Sequence, residues 1–374
     1  MIKFVLVSIF CMLIAVRSQT FKKCFTPDEN RGTCIPFESC KHLYELVQKY
    51  PTNPRNRLYI SLSQCGLFNN QPYVCCKDQE ESLQSAAPDP PISNKYIPKL
   101  SECGSFYEYR LNTNVTQLDD YPWLALLGYT KPQNETGFHC GGVLISRRYV
   151  LTSSRCVKGK SLPQSWQLIH VRLGEYNLDT EIDCDDAYVY EKVCSDPPID
   201  VRIAEIIPHP QYNPNDKSQF NDIALLRLEK DVQFSEFIKP ICLPIDSRIR
   251  DDLLVDQKLE VAGWGKSEKP SSSSIILKSR VEGISTDHCN QYYSNEQRQI
   301  NSYNHICAGK TGQYSCRSDL GGPLMKINDR ANLPYYYVAG IASSDPSSCG
   351  ASTKPGIYTR VGNYIDWILA TVKG

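Results

Sequence analysis

Apolar residues follow three rhythms along this chain. From Cys103 onward they come in short runs, such as Trp123-Leu124-Ala125-Leu126-Leu127 and Ile223-Ala224-Leu225-Leu226-Arg227-Leu228, separated by Gly, Pro, Asn and Ser. Short apolar runs between turn residues predict strands, and the texture is all-β. Two stretches place apolar residues at helical spacing instead: His42-Leu43-Tyr44-Glu45-Leu46-Val47, and Tyr364-Ile365-Asp366-Trp367-Ile368-Leu369, which predicts a terminal amphipathic helix. The third rhythm is N-terminal. Met1-Ile2-Lys3 precedes the almost wholly apolar Phe4 to Val16, and Arg17-Ser18-Gln19 follows. One early charge, a short apolar core and small residues at its end describe a secretory signal peptide over residues 1–18. The run is well short of the roughly 20 residues that span a bilayer. No later stretch is long and apolar enough either, so no membrane span is expected and the mature chain should be secreted and extracellular. The rival reading is an uncleaved anchor.

Composition adds the division into domains. A chain of 374 residues has room for two domains, or one large and one small. Between them, Lys77-Asp78-Gln79-Glu80-Glu81-Ser82 is charged and Ala87-Pro88-Asp89-Pro90-Pro91 is proline-rich, so residues 77–102 read as an exposed linker. Lys plus Arg equals Asp plus Glu at 41 each, and no bulk basic field argues for nucleic acid. Of 17 cysteines Cys11 falls in the signal, and the even remainder reads as disulfides in a secreted chain. Six of them, Cys24, Cys34, Cys40, Cys65, Cys75 and Cys76, crowd residues 24–76, a segment too small to be stable without staples. Spacing alone leaves their connectivity open. A metal site is the rival reading there, with His42 as the only histidine nearby.

Candidate chemistry lies in three later stretches. Nucleophilic acyl transfer needs a hydroxyl to attack, an imidazole to move its proton and a buried carboxylate to orient the imidazole. Gly141-Gly142-Val143-Leu144-Ile145 with Tyr149-Val150-Leu151-Thr152-Ser153-Ser154-Arg155-Cys156, then Asn221-Asp222-Ile223-Ala224-Leu225, then Cys316-Arg317-Ser318-Asp319-Leu320-Gly321-Gly322-Pro323-Leu324 carry the frames of such a site. They resemble the histidine, carboxylate and nucleophile loops of chymotrypsin-like serine proteases, whose first and last patterns read Leu-Thr-Ala-Ala-His-Cys and Gly-Asp-Ser-Gly-Gly-Pro. The resemblance covers about Cys103 to the C-terminus and implies a double six-stranded β-barrel over residues 111–374. The N-terminal cysteine pattern, ending in Cys75-Cys76, resembles the clip domain of arthropod serine proteases, a small disulfide-rich domain.

In this alignment the histidine position holds Arg155, the serine position holds Leu320, and the carboxylate is Asp222. Arginine stays protonated at any reachable pH and cannot act as a general base. Leucine has no hydroxyl. The six histidines, His42, His139, His170, His209, His288 and His305, all lie outside the motifs. A buried carboxylate without a partner is costly, so Arg155 is expected to reach Asp222 in a charge-assisted pair, with Leu320 as apolar bulk beside it. The rival is Arg155 swung into solvent. Ser318 also replaces the glycine of the oxyanion loop, Tyr314 takes the pocket-floor position, and Ser343-Ser344-Asp345 replaces the substrate-pairing edge.

The resemblance carries further expectations. It implies disulfides Cys24–Cys75, Cys34–Cys65, Cys40–Cys76, Cys103–Cys242, Cys140–Cys156, Cys184–Cys194, Cys289–Cys307 and Cys316–Cys349. It places an activation cut at Arg110–Leu111, with Asp319 to receive the new ammonium, although Thr113 and Asn114 replace the hinge glycines. Asn114 and Asn134 head glycosylation sequons. The loop after Val171 offers oxygen donors, and Glu175, Asn177 and Glu181, with Asp179 and Asp183, are calcium candidates beside the reading of a solvated acidic loop. No cofactor is required. The chain looks like a catalytically inactive clip-domain serine protease homolog, a regulator in a haemolymph protease cascade of innate immunity such as prophenoloxidase activation and melanisation. Its expected partners are an upstream activating protease and prophenoloxidase or its activating protease. The alternatives are an active trypsin-like endopeptidase with an unconventional site, or a decoy that binds protease substrates or inhibitors.

Overall fold

The computed structural model describes residues 23–26, 31–49, 59–61, 63–68, 71–77, 94–106, 116–159, 162–163, 165–185, 193–264, 274–309, 320–329, 331, 333–344 and 354–374. The chain divides into two compact units, one containing residues 1–84 and the other residues 85–329 and 334–374.

The first unit is a four-stranded antiparallel sheet. Strands β1 (Lys23–Phe25), β2 (Arg31–Pro36), β3 (Gln64–Phe68) and β4 (Gln71–Lys77) lie in the order β1-β2-β4-β3. Helix Lys41–Lys49 covers the stretch with helical spacing, burying Leu43 and leaving Tyr44 exposed. Its core is small: Cys40, Leu43 and Val74 are the fully buried members. Disulfides Cys24–Cys75, Cys34–Cys65 and Cys40–Cys76 hold what so little apolar area does not.

The second unit contains two closed six-stranded barrels. The first runs β5 (Leu124–Thr130), β6 (Thr136–Ser146), β7 (Tyr149–Thr152), β8 (Gln167–Leu173), β11 (Ile199–Pro208) and β12 (Ala224–Leu228), closed in the order β11-β12-β7-β6-β5-β8. A short ribbon, β9 (Cys184–Asp185) with β10 (Val193–Cys194), interrupts it. The second barrel comprises β13 (Lys258–Gly263), β14 (Leu277–Ile284), β15 (His305–Gly309), β16 (Pro323–Asn328), β17 (Tyr335–Ser344) and β18 (Gly356–Arg360), in the order β13-β14-β15-β18-β17-β16.

Burial explains the continuous apolar runs. Successive strand residues point to opposite faces, yet β5 is buried from Leu124 to Tyr129, so both of its faces are covered. Strand β11 is covered less, and its buried Val201 sits between exposed Asp200 and Arg202. One apolar core runs through both barrels, from Leu127, Leu144 and Leu226 to Val338 and Ile341. Between them, Glu260 Oε1 accepts from the hydroxyls of Tyr121 at 2.8 Å and Tyr336 at 2.6 Å, satisfying three buried polar groups together.

The C-terminal helix, Ile365–Thr371, packs Ile365, Ile368 and Leu369 into this core. Its last carbonyls are capped from far away: Asn94 Nδ2 donates to Leu369 O at 2.8 Å and Val372 O at 2.6 Å. Residues 94–102, read from sequence as the end of an exposed linker, therefore belong in part to the barrel unit. Gly104 continues the attachment, donating to Pro240 O at 2.9 Å and accepting from Tyr336 N at 2.8 Å. Disulfides Cys103–Cys242, Cys140–Cys156, Cys184–Cys194 and Cys289–Cys307 form in this unit, whereas Cys316 and Cys349 lie outside the described residues. Among the described residues no helix is long and apolar enough to cross a membrane.

Candidate functional site

The three motifs meet where the first barrel faces β17. The loop after β7 is clamped at both ends. Cys140–Cys156 ties it to β6, and Ser154 Oγ donates to Ile223 O at 2.6 Å, so Arg155 is held against Asp222. Asp222 is completely buried. Its Oδ1 accepts from the main-chain N–H of Arg155 at 2.8 Å, and its Oδ2 from the Ser343 hydroxyl at 2.6 Å. Its own carbonyl accepts from Thr359 Oγ1 at 2.8 Å. None of the six histidines hydrogen-bonds Asp222 among the described residues.

The expected pair is present in a looser form than a fork. Arg155 Nε lies 3.8 Å from Asp222 Oδ2 and makes no hydrogen bond among the described residues, while Nη1 donates to the carbonyl of Ser343. The guanidinium thus contributes charge to Asp222 and spends a donor on strand β17. Burial pushes the Asp222 carboxyl up to about 6, although the Ser343 hydroxyl and Arg155 both act to lower it. Burial first, and Asp222 next, also raise the hydroxyl pKa of nearby Tyr212.

Leu320 is partly buried against the common core, and its carbonyl accepts from Gly141 N at 2.8 Å. The turn after it requires glycine. Gly321 has φ +81°, and a Cβ there would stand 2.3 Å from Thr152 Oγ1. Gly321 N then donates to Ala342 O at 2.9 Å. From Leu320 onward the described backbone makes this glycine turn, and the Leu320 side chain packs against the core.

Several sequence candidates lie outside the described residues: Arg110, Leu111, Thr113, Asn114, Tyr314, Ser318, Asp319 and Asp345. The threonine of the first sequon, Thr116, is buried and donates to Ile276 O at 2.6 Å. Asn134 ends the short 3-10 turn Pro132–Asn134.

The calcium candidates are hydrogen-bonded within their own loop. Glu175 Oε1 accepts from Tyr176 N at 2.9 Å, and Oε2 lies 3.4 Å from Arg172 Nη1. Asn177 Oδ1 accepts from Asp179 N at 3.2 Å, and Glu181 is exposed. Asp183 is committed to Asn177 N at 3.0 Å and to the Thr180 hydroxyl. No group of three or more metal-binding side chains occurs among the described residues. The loop is organised instead by its own N–H groups and by Arg172, which also forks onto Asp200.

Two participants carried no sequence signal. Arg298, just after the 3-10 turn Ser294–Glu296, donates from Nη1 to Ser344 Oγ at 2.8 Å. Lys217 accepts from Arg298 Nε through its carbonyl at 3.1 Å. Neither lies in a motif, and only the fold brings them to the end of β17.

A buried aspartate behind the first barrel, a glycine-locked turn opposite it and paired six-stranded barrels define the scaffold of a trypsin-like protease. The trypsin family model matches residues 111–368, and the model described as the regulatory CLIP domain of proteinases matches residues 24–76. Serine protease ea of Drosophila melanogaster is 42% identical over 364 residues, covering 96% of this chain and 93% of that protein. Melanization protease 1 of the same species is 37% identical, with 98% of each chain covered. The crystal structure of the Drosophila Grass clip serine protease of the Toll pathway superposes with a TM-score of 0.64 at 32% identity, covering 94% of this chain and 97% of that one. Other relatives are named for phenoloxidase activation, at 36% and 34% identity. The chain belongs to the clip-domain trypsin-like serine protease family of insects.

Proposed function

We propose that this chain is a non-catalytic member of its family, secreted into haemolymph, that regulates a protease cascade by association. The observation that carries this reading is the bonding of Asp222. The carboxylate that would orient an imidazole is spent on the Ser343 hydroxyl and the Arg155 N–H, and the neighbouring side chain is a permanent cation. Leu320 has no atom that can attack a carbonyl. Ser343 O, on the edge where the family pairs with substrate, already accepts from Arg155 Nη1. Among the described residues, no group beside Asp222 supplies the missing base or nucleophile.

Cleavage at Arg110–Leu111 by an upstream protease then acts as a conformational signal rather than as activation of chemistry. The relatives named for melanisation and phenoloxidase activation support a place in that kind of cascade, with prophenoloxidase or its activating protease as partner. No cofactor is needed for this role.

The names of the relatives as proteases favour a second reading, an endopeptidase with an unconventional site. The two part on one experiment. The secreted chain is cut with a trypsin-like activator, its new N-terminus is sequenced, and it is then exposed to a fluorophosphonate probe and a panel of peptide esters. A new N-terminus at Leu111 with no labelling and no turnover is expected. A covalent adduct or saturable turnover overturns the non-catalytic reading.

A further inference from the structure

Among the described disulfides, Cys184–Cys194 differs from the rest in its access to water. Both of its cysteines are exposed. Every other described pair has at least one cysteine that is buried or half-buried. Thiol–disulfide exchange needs a thiolate to reach a sulfur, so access selects the bond that exchanges. This bond closes the β9–β10 ribbon, with Cys194 directly opposite Cys184. Beside it, Ser195 N donates to Asp183 O at 2.7 Å and Asp183 N donates to Ser195 Oγ at 3.2 Å. The buried Asp183 carboxylate in turn accepts from Asn177 N at 3.0 Å and from the Thr180 hydroxyl. The next residues join the loop to its surroundings. Asn177 forms an antiparallel bridge with Ile275, and Leu178 N donates to Ser274 O at 2.8 Å. The Tyr176 carbonyl accepts from Ile276 N at 3.1 Å and from Trp264 Nε1 at 3.1 Å, and its hydroxyl donates to Thr116 O at 2.7 Å. Thr116 lies five positions after Leu111. Leu178, Ile182 and Val193 are exposed, so little apolar burial holds this loop in place.

An accessible crosslink thus supports a loop that is held mainly by hydrogen bonds and that pins the chain just beyond the expected cut. We propose that Cys184–Cys194 is a thiol–disulfide exchange site for a vicinal dithiol, and that its reduction loosens the segment following Arg110–Leu111. One thiolate of the dithiol attacks a ribbon sulfur, the Cys184–Cys194 bond breaks and a mixed disulfide forms. The second thiolate of the reductant then displaces the ribbon cysteine. Two electrons and the two thiol protons end on Cys184 and Cys194, and the reductant leaves as a disulfide. A protease acts on an opened stretch of chain around the bond it cuts, so freeing Thr116 makes Arg110–Leu111 a better substrate. This consequence rests on the expected cut at Arg110–Leu111 and is independent of whether the cut chain is catalytic.

The test titrates the full secreted chain with dithiothreitol, blocks the freed thiols with iodoacetamide and maps them by mass spectrometry. Amide hydrogen exchange is followed on the same samples. Cys184 and Cys194 should be labelled before any other cysteine, and the amides of residues 176–178 and 274–276 should then exchange about tenfold faster. A trypsin-like activator should cut the reduced chain at Arg110–Leu111 on the order of tenfold faster than the oxidised chain. The double variant Cys184→Ser with Cys194→Ser should be cut at the faster rate without reductant. Tyr176→Phe, which removes the hydroxyl that holds Thr116, should speed cutting of the oxidised chain and leave the order of thiol labelling unchanged. If the double variant is not secreted, the reduced wild type carries the comparison. Labelling of another pair first, unchanged exchange at these amides once Cys184–Cys194 is open, or equal cutting of the oxidised and reduced chains overturns the proposal. Labelling and exchange are read on the uncut chain, so a bond that resists cutting in both states refutes only the expected cut.

Discussion

Asp222 and Asp200 each have an arginine beside them, and the environments drive them in opposite directions. On the outside of the first barrel, Arg172 forks onto Asp200 with Nε to Oδ1 and Nη2 to Oδ2, both at 2.8 Å. The Asp200 side chain is 43% exposed, and these hydrogen bonds hold its carboxyl below the usual range. In the cleft, Asp222 has no exposure, its nearest guanidinium nitrogen is 3.8 Å away, and burial raises its carboxyl to about 6. The lesson concerns geometry. A guanidinium lowers a carboxyl decisively when it forks onto it in the presence of water. It fails to offset full desolvation when its hydrogen bonds go elsewhere.

The largest effect that would break this contrast is removal of the buried acid. Asp222→Ala leaves the Ser343 hydroxyl and the Arg155 N–H without their acceptor and the guanidinium without its counter-charge, and should cost about 3–5 kcal/mol in denaturant unfolding. A loss near 1 kcal/mol would mean that the charge at this site is already dispensable.

The second test sharpens the comparison through pH. The folded carboxyl of Asp222 lies near 6 against an ordinary 3.8, so over that window the folded chain holds a proton that the unfolded chain has released. Stability from this group therefore falls as pH rises through the window. The stability difference between the wild type and Asp222→Asn should shrink by about 3 kcal/mol from the acid to the neutral side. Asp200 has the reverse sign: its contribution is present above the ordinary carboxylate range and is lost as pH falls. A pH-independent difference for Asp222→Asn would refute the raised value.

The smallest effects belong to the arginines. Arg155→Ala should cost about 1–2 kcal/mol, because it removes a charged donor from Ser343 O and a cation near a buried anion. Arg172→Ala should cost about 1 kcal/mol or less, as a pair partly in water. The reverse order, measured by the same unfolding experiment, would show that Arg155 is solvated in solution.

Much of this molecule was legible from residue order alone. The runs from Trp123 and Ile223 became β5 and β12, and the helical spacings became Lys41–Lys49 and Ile365–Thr371, because side-chain periodicity reports which faces are covered. Conversely, the sequence hid the role of Asn94, whose capping partners Leu369 and Val372 lie far along the chain. It brought Arg155 and Asp222 together through motif alignment, but not the diversion of the guanidinium to Ser343 O. Composition offered oxygen donors at Glu175 and Asn177 as calcium candidates, but not the N–H groups of the loop that those oxygens also accept from.

By itself, the order of residues determined which chemical groups this chain owns: the strand pattern, the cysteine inventory, an arginine and a leucine in the frames of a catalytic site, and a lone aspartate. Tertiary structure decided what those groups do to one another. It removed water from Asp222, turned Arg155 toward a strand carbonyl and joined Arg298 to Lys217 and to Ser344 at the end of β17. The physical reason is that pKa, hydrogen bonding and charge balance depend on distance and dielectric in three dimensions, and residues such as Asp222 and Ser343 become neighbours only when the barrels close.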